Sequence, residues 1–288
     1  MIEIITAPFE YGFMVHALAA AVIASTVCGL LSAWLVLMGW SLMGEAIAHS
    51  VLPGVVLAYI FGAPMALGAL IFGLLAVLII GGLNRSTVLK RDTTLGVVFT
   101  TLFALGLVLI SRTPSQTHLQ HILFGNVLGT SLSTLVQIAV LAAVTATVLL
   151  VKRRDFTLLA FDRTHAHTIG LPVGVLSAVL LVLLAITTVT ALQTLGVILV
   201  VAMLIIPGAA GFLVARTFGL MLTVSALVGG LAAVLGVYAS WWLDVSTGGA
   251  IVLSASALFA LAYLGGPHRG VVPRLLRRRR ASSHPVSV

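Results

Sequence analysis

Read only for hydrophobic and polar positions, the chain is a succession of apolar blocks separated by short clusters of charge, proline and glycine. Nine blocks can be marked, at roughly 13–37, 45–61, 64–83, 95–111, 132–151, 172–190, 196–215, 220–243 and 249–265. Most have the length a helix needs to cross the hydrocarbon core, about 20 residues. The pattern predicts an all-α, polytopic transmembrane helical bundle of eight or nine membrane segments, one of them re-entrant or broken. The exceptional block is 45–61, which Pro53-Gly54 interrupts. If it spans fully there are nine segments and the N-terminus faces outward. If it turns back at Pro53 there are eight and the N-terminus faces in. The short link Gly62-Ala63-Pro64 permits either.

The polar breaks assign sides. Arg85, Lys90 and Arg91 fall in one break, Lys152, Arg153, Arg154 and Arg163 in another, Arg216 in a third, and six arginines in the C-terminal tail. Counted along the blocks from 64–83 onward, these all lie on one face, which the positive-inside rule makes cytoplasmic. Arg112 alone lies on the other, in the same break as His118 and His121. Residues 1–268 are therefore expected to form a membrane domain with a long cytoplasmic loop at about 152–172. Residues 269–288 are expected to be a basic, disordered cytoplasmic tail. The first apolar block has no basic flank before it and is too long for a cleavable signal, so none is expected.

Composition sharpens this. The chain of 288 residues is 60% hydrophobic and 8% charged, with a mean hydropathy of +1.23, where a soluble domain carries about 25% charged residues. The net charge of +8 sits in loops and tail, which suits orientation and lipid contact rather than a nucleic-acid surface. The single cysteine, Cys28, excludes an intrachain disulfide or thiolate cage and reads as a small apolar residue. Neither lysine, Lys90 nor Lys152, follows a Gly-x-x-x-x-Gly frame, so the chain has no phosphate-binding loop and is not expected to be an enzyme. If nucleotide powers it, a separate chain supplies the ATPase.

Against this apolar background one pair stands out. Glu45 is the acidic residue placed within an apolar run, four positions before His49. Residues four apart share a helical face, and ionisable groups at membrane depth mark a pathway or a bound ion by default. A carboxylate and an imidazole side by side form half a site for a hard or borderline divalent cation. A proton relay and a structural hydrogen bond are the other readings. A zinc-protease centre is excluded, since it needs His-Glu-x-x-His and the order here is Glu-x-x-x-His. An intramembrane enzyme of another kind lacks any nucleophile–base spacing.

Other candidates are weaker. His118 and His121 could line an outer vestibule or be ordinary interfacial residues. His165 and His167, two apart, do not share a helical face and read as solvated. Met38 and Met43 flank the pair and could offer sulfur, or pack. The Pro207–Gly211 break could border a cavity or permit close helix packing. In 152–172 a short amphipathic helix ending at Gly170 is expected, with Phe156, Leu158, Leu159, Phe161 and Ile169 facing either a partner protein or the bilayer surface.

The run from Leu35 to Gly54, together with Arg91 to Gly106, His121 to Gly129, Gln193 to Val200 and the Pro207-centred stretch, resembles the permease subunits of bacterial ABC importers for manganese, zinc and iron. The resemblance covers nearly the whole chain apart from the basic tail. It implies a multi-pass protein of the bacterial inner membrane, with its C-terminus cytoplasmic. It implies two cytoplasmic ABC ATPase subunits, a second permease subunit (the same chain or a paralogue) and an extracytoplasmic metal-binding protein. It implies no permanently bound cofactor, only the transported metal. By position, Glu45 and His49 match that family's metal ligands, although many members carry Asp where this chain has Glu45. The same resemblance makes 155–171 the ATPase-coupling segment, with Asp155, Phe156, Leu159, Phe161, Asp162, His165 and Gly170 as its candidate contacts. Leu119 to Asn126 looks more like the manganese/iron branch than the zinc branch. A proton-coupled secondary metal transporter, with Glu45 and His49 as relay, is the alternative.

Overall fold

A computed structural model of the chain describes residues 11–86, 88–113, 127–266 and 270. Among these residues the fold is helical throughout, with no strand. The helices are α1 (Gly12–Leu37), α2 (Ser41–Ser50), α3 (Leu52–Ile60), α4 (Met65–Ser86), α5 (Arg91–Arg112) and α6 (Leu132–Val151). They continue as α7 (Arg153–Phe161), α8 (Arg163–Thr168), α9 (Val173–Leu195), α10 (Val197–Val214), α11 (Phe218–Leu243) and α12 (Thr247–Gly265). Taking α2 and α3 together, nine of these among the described residues are long and apolar enough to cross a membrane. The chain is thus a multi-pass membrane protein with nine candidate segments among the described residues, one of them the α2–α3 pair. Helices begin earlier than the apolar blocks at Ser41 and Arg91, because polar side chains at a helix start do not end the backbone's helical bonding.

The centre of the bundle is α1, packed against α6, α9, α10 and α11. Lipid tails are as apolar as leucine, so these contacts depend on close fit rather than on the hydrophobic effect. Small residues provide that fit. A Cβ on Gly29 would strike the carbonyl of Ser225, and one on Gly229 would strike that of Ser25, so α1 and α11 meet backbone to backbone at two levels. Gly54 of α3 and Gly68 of α4 approach in the same way. Cys28 is fully buried in α1.

Pro207 lies inside α10 without ending it. The Ser32 hydroxyl on α1 accepts the Gly208 N–H at 2.9 Å and donates to the Ile205 carbonyl at 3.3 Å. A neighbouring helix thus bonds backbone groups on both sides of the proline. Of the two sequence readings for this break, close packing is the one the contacts favour: Pro207, Gly208 and Gly211 are all buried, and Gly208 lies directly on Ser32.

The turn from α1 into α2 takes three residues. Trp40 N–H reaches the Leu35 carbonyl at 2.7 Å and Gly39 N–H the Val36 carbonyl at 3.2 Å, with Gly39 at φ +66°. This pair of bonds needs a left-handed residue, which glycine adopts without a Cβ clash. It sets α2 directly beside the bundle centre.

The 152–172 loop is not one helix but two. Asp162 is extended (φ −147°, ψ 93°) and its carboxylate caps α8, accepting the His165 N–H at 2.8 Å. Aspartate at such a position satisfies an otherwise free amide at a helix start. The chain then leaves α8 through Gly170 at φ +84°.

Candidate metal path

Glu45 and His49 are carried by α2, one turn apart, each half-buried. On its buried side α2 rests on α10, where Gly44 lies against Leu204. The stripe bearing the pair is open at its Leu42 end, where Leu42 is 45% exposed and stands in line with Glu45 and His49, and packs on α5 at its His49 end. The His49 ring is held by two phenylalanines one turn apart on α5. It is tilted over Phe99, with centroids 5.7 Å apart, and meets Phe103 edge-on at 5.2 Å. Edge-to-face and offset contacts of this kind orient a ring. Glu45 lies within electrostatic reach of His49. Neither side chain has a hydrogen-bond or ion-pair partner among the described residues.

Below the pair, Pro53 has no N–H to offer the carbonyl of His49, four residues earlier. The break falls at Val51, which keeps right-handed helical angles (φ −75°, ψ −18°), so α3 continues from α2. The stripe therefore offers a carboxylate, an imidazole and a carbonyl oxygen that has lost its helical donor. Hard and borderline divalent ions accept such a set. Among the described residues no group of three or more His, Cys, Asp or Glu side chains comes together, so water or another chain would fill the remaining positions.

The other sequence candidates fall in different places. His118 and His121 lie outside the described residues. Met43 is buried and Met38 partly buried, as packing residues. His165 and His167 are exposed on α8. In the loop, Phe156 and Leu159 turn inward, at 0% and 6% exposure, and this corrects the expectation that they face a partner. The cause is Trp34 of α1, whose ring meets Phe156 at 6.2 Å and Phe218 at 5.2 Å, both edge-on. Leu158 is half-buried, whereas Phe161 and Ile169 stay 66% and 56% exposed. Asp155 pairs with Lys152 at 3.2 Å. Sequence reasoning missed Phe99 and Phe103; their four-residue spacing was visible, but nothing in it pointed to His49.

Comparison with known proteins places these features. Residues 10–265 match the ABC 3 transport family. The chain is 48% identical over 264 residues, 92% of this chain and 89% of the relative, to the chelated iron transport system membrane protein YfeD of Yersinia pestis. It is 46% identical over 272 residues, 94% of this chain and 89% of the relative, to the manganese transport system membrane protein MntB of Synechocystis sp.. Its fold is similar to a chain of PsaBC from Streptococcus pneumoniae in complex with Fab, with a TM-score of 0.87, 35% identity, and coverage of 97% of this chain and 100% of that one. Matched over nearly its whole described length in both sequence and fold, the chain belongs to the ABC 3 transport family.

Proposed function

We propose that this chain is the permease subunit of an ATP-driven importer of a divalent transition metal, Mn²⁺ or Fe²⁺ ahead of Zn²⁺. The observation that carries the reading is the unpartnered Glu45–His49 stripe on a membrane helix. The relatives' names, manganese and chelated iron transport, support the choice of cargo. Glu45 supplies a carboxylate oxygen and His49 a neutral imidazole nitrogen, suited to Mn²⁺ or Fe²⁺ and tolerant of Zn²⁺. Because the stripe is open on the Leu42 side, it forms one wall of a path rather than a closed pocket, and a second permease chain would supply the facing wall. Two ATPase subunits on the cytoplasmic side and an extracytoplasmic metal-binding protein complete the assembly.

With the basic loops inside, a bacterial inner-membrane orientation puts the C-terminus and the 269–288 tail in the cytoplasm and starts α2 at the cytoplasmic face. At 1.5 Å per residue, Glu45 then lies about 6 Å and His49 about 12 Å along a helix of about 30 Å. An ion entering from outside meets His49 first. The exposed side of 155–171, with Phe161, Asp162, His165 and Gly170, would dock on the ATPase.

Glu45→Ala or His49→Ala should abolish metal uptake in cells while membrane level and complex assembly persist; wild-type uptake by both variants would sink the assignment. Membership of an ABC family argues against the proton-coupled alternative. That alternative would regain ground if a pH gradient alone drove uptake into vesicles holding the permease without its ATPase.

A further inference from the structure

A second polar constellation lies at the start of α2 and α5, away from the Glu45–His49 stripe. There a cavity of about 400 Å³ opens between α2, α4, α5, α8 and α9. Its polar wall includes Arg91, Arg163, Trp40 and Asn84, and its apolar wall includes Val77, Ile80 and Leu181. The Arg91 guanidinium lies over the Trp40 ring, 4.4 Å from its centroid. Stacking of this kind fixes the planar fork and leaves its edge free for an anion. Arg91 Nε is buried without a hydrogen-bond partner. Neither Arg91 nor Arg163 has an ion-pair partner among the described residues, where the one ion pair is Lys152–Asp155. Asp92, the adjacent carboxylate, is exposed and outside the cavity wall.

Two guanidinium groups line one cavity and repel each other; the exposed Asp92 carboxylate, outside the wall, offsets part of the charge on Arg91, and an anion in the cavity relieves the rest. We propose that this cavity binds the phosphate diester of an anionic phospholipid from the cytoplasmic leaflet. A forked guanidinium matches phosphate oxygens, and basic pockets between membrane helices on that side are suited to lipid headgroups. The amphipathic wall selects a lipid over free phosphate. Val77 and Leu181 can cover glycerol and the first methylenes, and Leu78, the next position round α4, is 71% exposed and offers acyl chains a surface to follow. The bound phosphate would join Trp40, which precedes α2, to Arg163, the first residue of α8. The lipid would thus bridge the helix bearing Glu45 and the cytoplasmic segment. The proposal does not depend on which cargo is carried.

The test uses the full-length permease, purified with its ATPase, in nanodiscs of phosphatidylcholine with increasing phosphatidylglycerol. Native mass spectrometry reads the phosphatidylglycerol retained. The wild type should hold one phosphatidylglycerol per permease chain, and millimolar inorganic phosphate should not displace it. Arg163→Gln, at an exposed position that leaves the bundle intact, should weaken retention about fivefold, and Arg91→Gln at least as much. Arg112→Gln, at the far end of α5, should retain lipid as the wild type does. Equal retention by Arg163→Gln and the wild type would overturn the proposal. So would displacement by inorganic phosphate, which would make the ligand a free anion. Lipid bound by the permease alone but lost on ATPase docking would also overturn it, since the arginines would then serve a protein carboxylate.

Discussion

Ser32 and Gly208 are joined by a hydrogen bond of 2.9 Å in which the α1 hydroxyl accepts an α10 amide just past Pro207. Removing the hydroxyl leaves a buried N–H without its partner. Ser32→Ala should therefore lower stability in detergent by about 1 kcal/mol. In a Pro207→Ala background, where the helix can tighten and return the Gly208 N–H to the Leu204 carbonyl, the same change should cost less. Unfolding midpoints for the double-mutant cycle check this; strictly additive losses would mean the serine does not serve the proline break.

The phenylalanines beside His49 hold a ring that has no hydrogen bond among the described residues. Phe103→Leu keeps the site apolar but removes the edge-on contact, worth about 1 kcal/mol. Metal uptake should then need about fivefold more metal for half-maximal rate, with little change in protein level. An unchanged concentration dependence would remove Phe103 from the site.

Gly54 and Gly68 bring the backbones of α3 and α4 into contact, so a methyl group has nowhere to go. Gly54→Ala should destabilise by about 2 kcal/mol. Gly96→Ala on α5, where a Cβ meets nothing, should be neutral or slightly stabilising. Thermal shifts of the two variants in the same detergent make the comparison.

Phe156 and Phe161 separate core from surface within one short helix. Phe156→Ala should cost about 3–5 kcal/mol through the cavity left against Trp34. Phe161→Ala should leave stability unchanged and reduce ATPase recovered in a pull-down. If Phe161→Ala retained full ATPase association, α7 would be better explained as a helix lying on the bilayer surface.

Asp162 caps α8 through its carboxylate. Asp162→Ala should cost about 1 kcal/mol and speed amide exchange across Arg163–Thr168, while Asp162→Asn should retain the cap. Identical exchange in all three forms would argue that the helix start is held by its neighbours.

Much of the architecture was legible along the chain because a membrane helix needs an uninterrupted apolar run, and such runs can be marked without knowing any contact. The Glu45–His49 stripe was legible for the same reason: two ionisable residues one turn apart stand out in an apolar segment. What was not legible lies between segments. Ser32 and Gly208 are far apart in sequence, and neither carries a mark of the other. The amphipathic reading of 152–172 found the helical segment but not which apolar residues it hides, since that depends on Trp34 of a different helix. The break at Asp162 had a local signal, an aspartate three residues before a backbone amide it can cap, which the hydrophobic pattern obscured.

The aromatic setting of His49 also bears on timing. Histidines that hold a resident metal commonly pass their second ring N–H to a carboxylate or carbonyl, which fixes the tautomer and strengthens the bond to the ion. Among the described residues His49 has no such partner; phenylalanine edges and faces set its angle instead. An imidazole oriented in this way can exchange which nitrogen it presents. Under the proposed function, a passing cation would meet a ligand suited to brief residence and fast exchange.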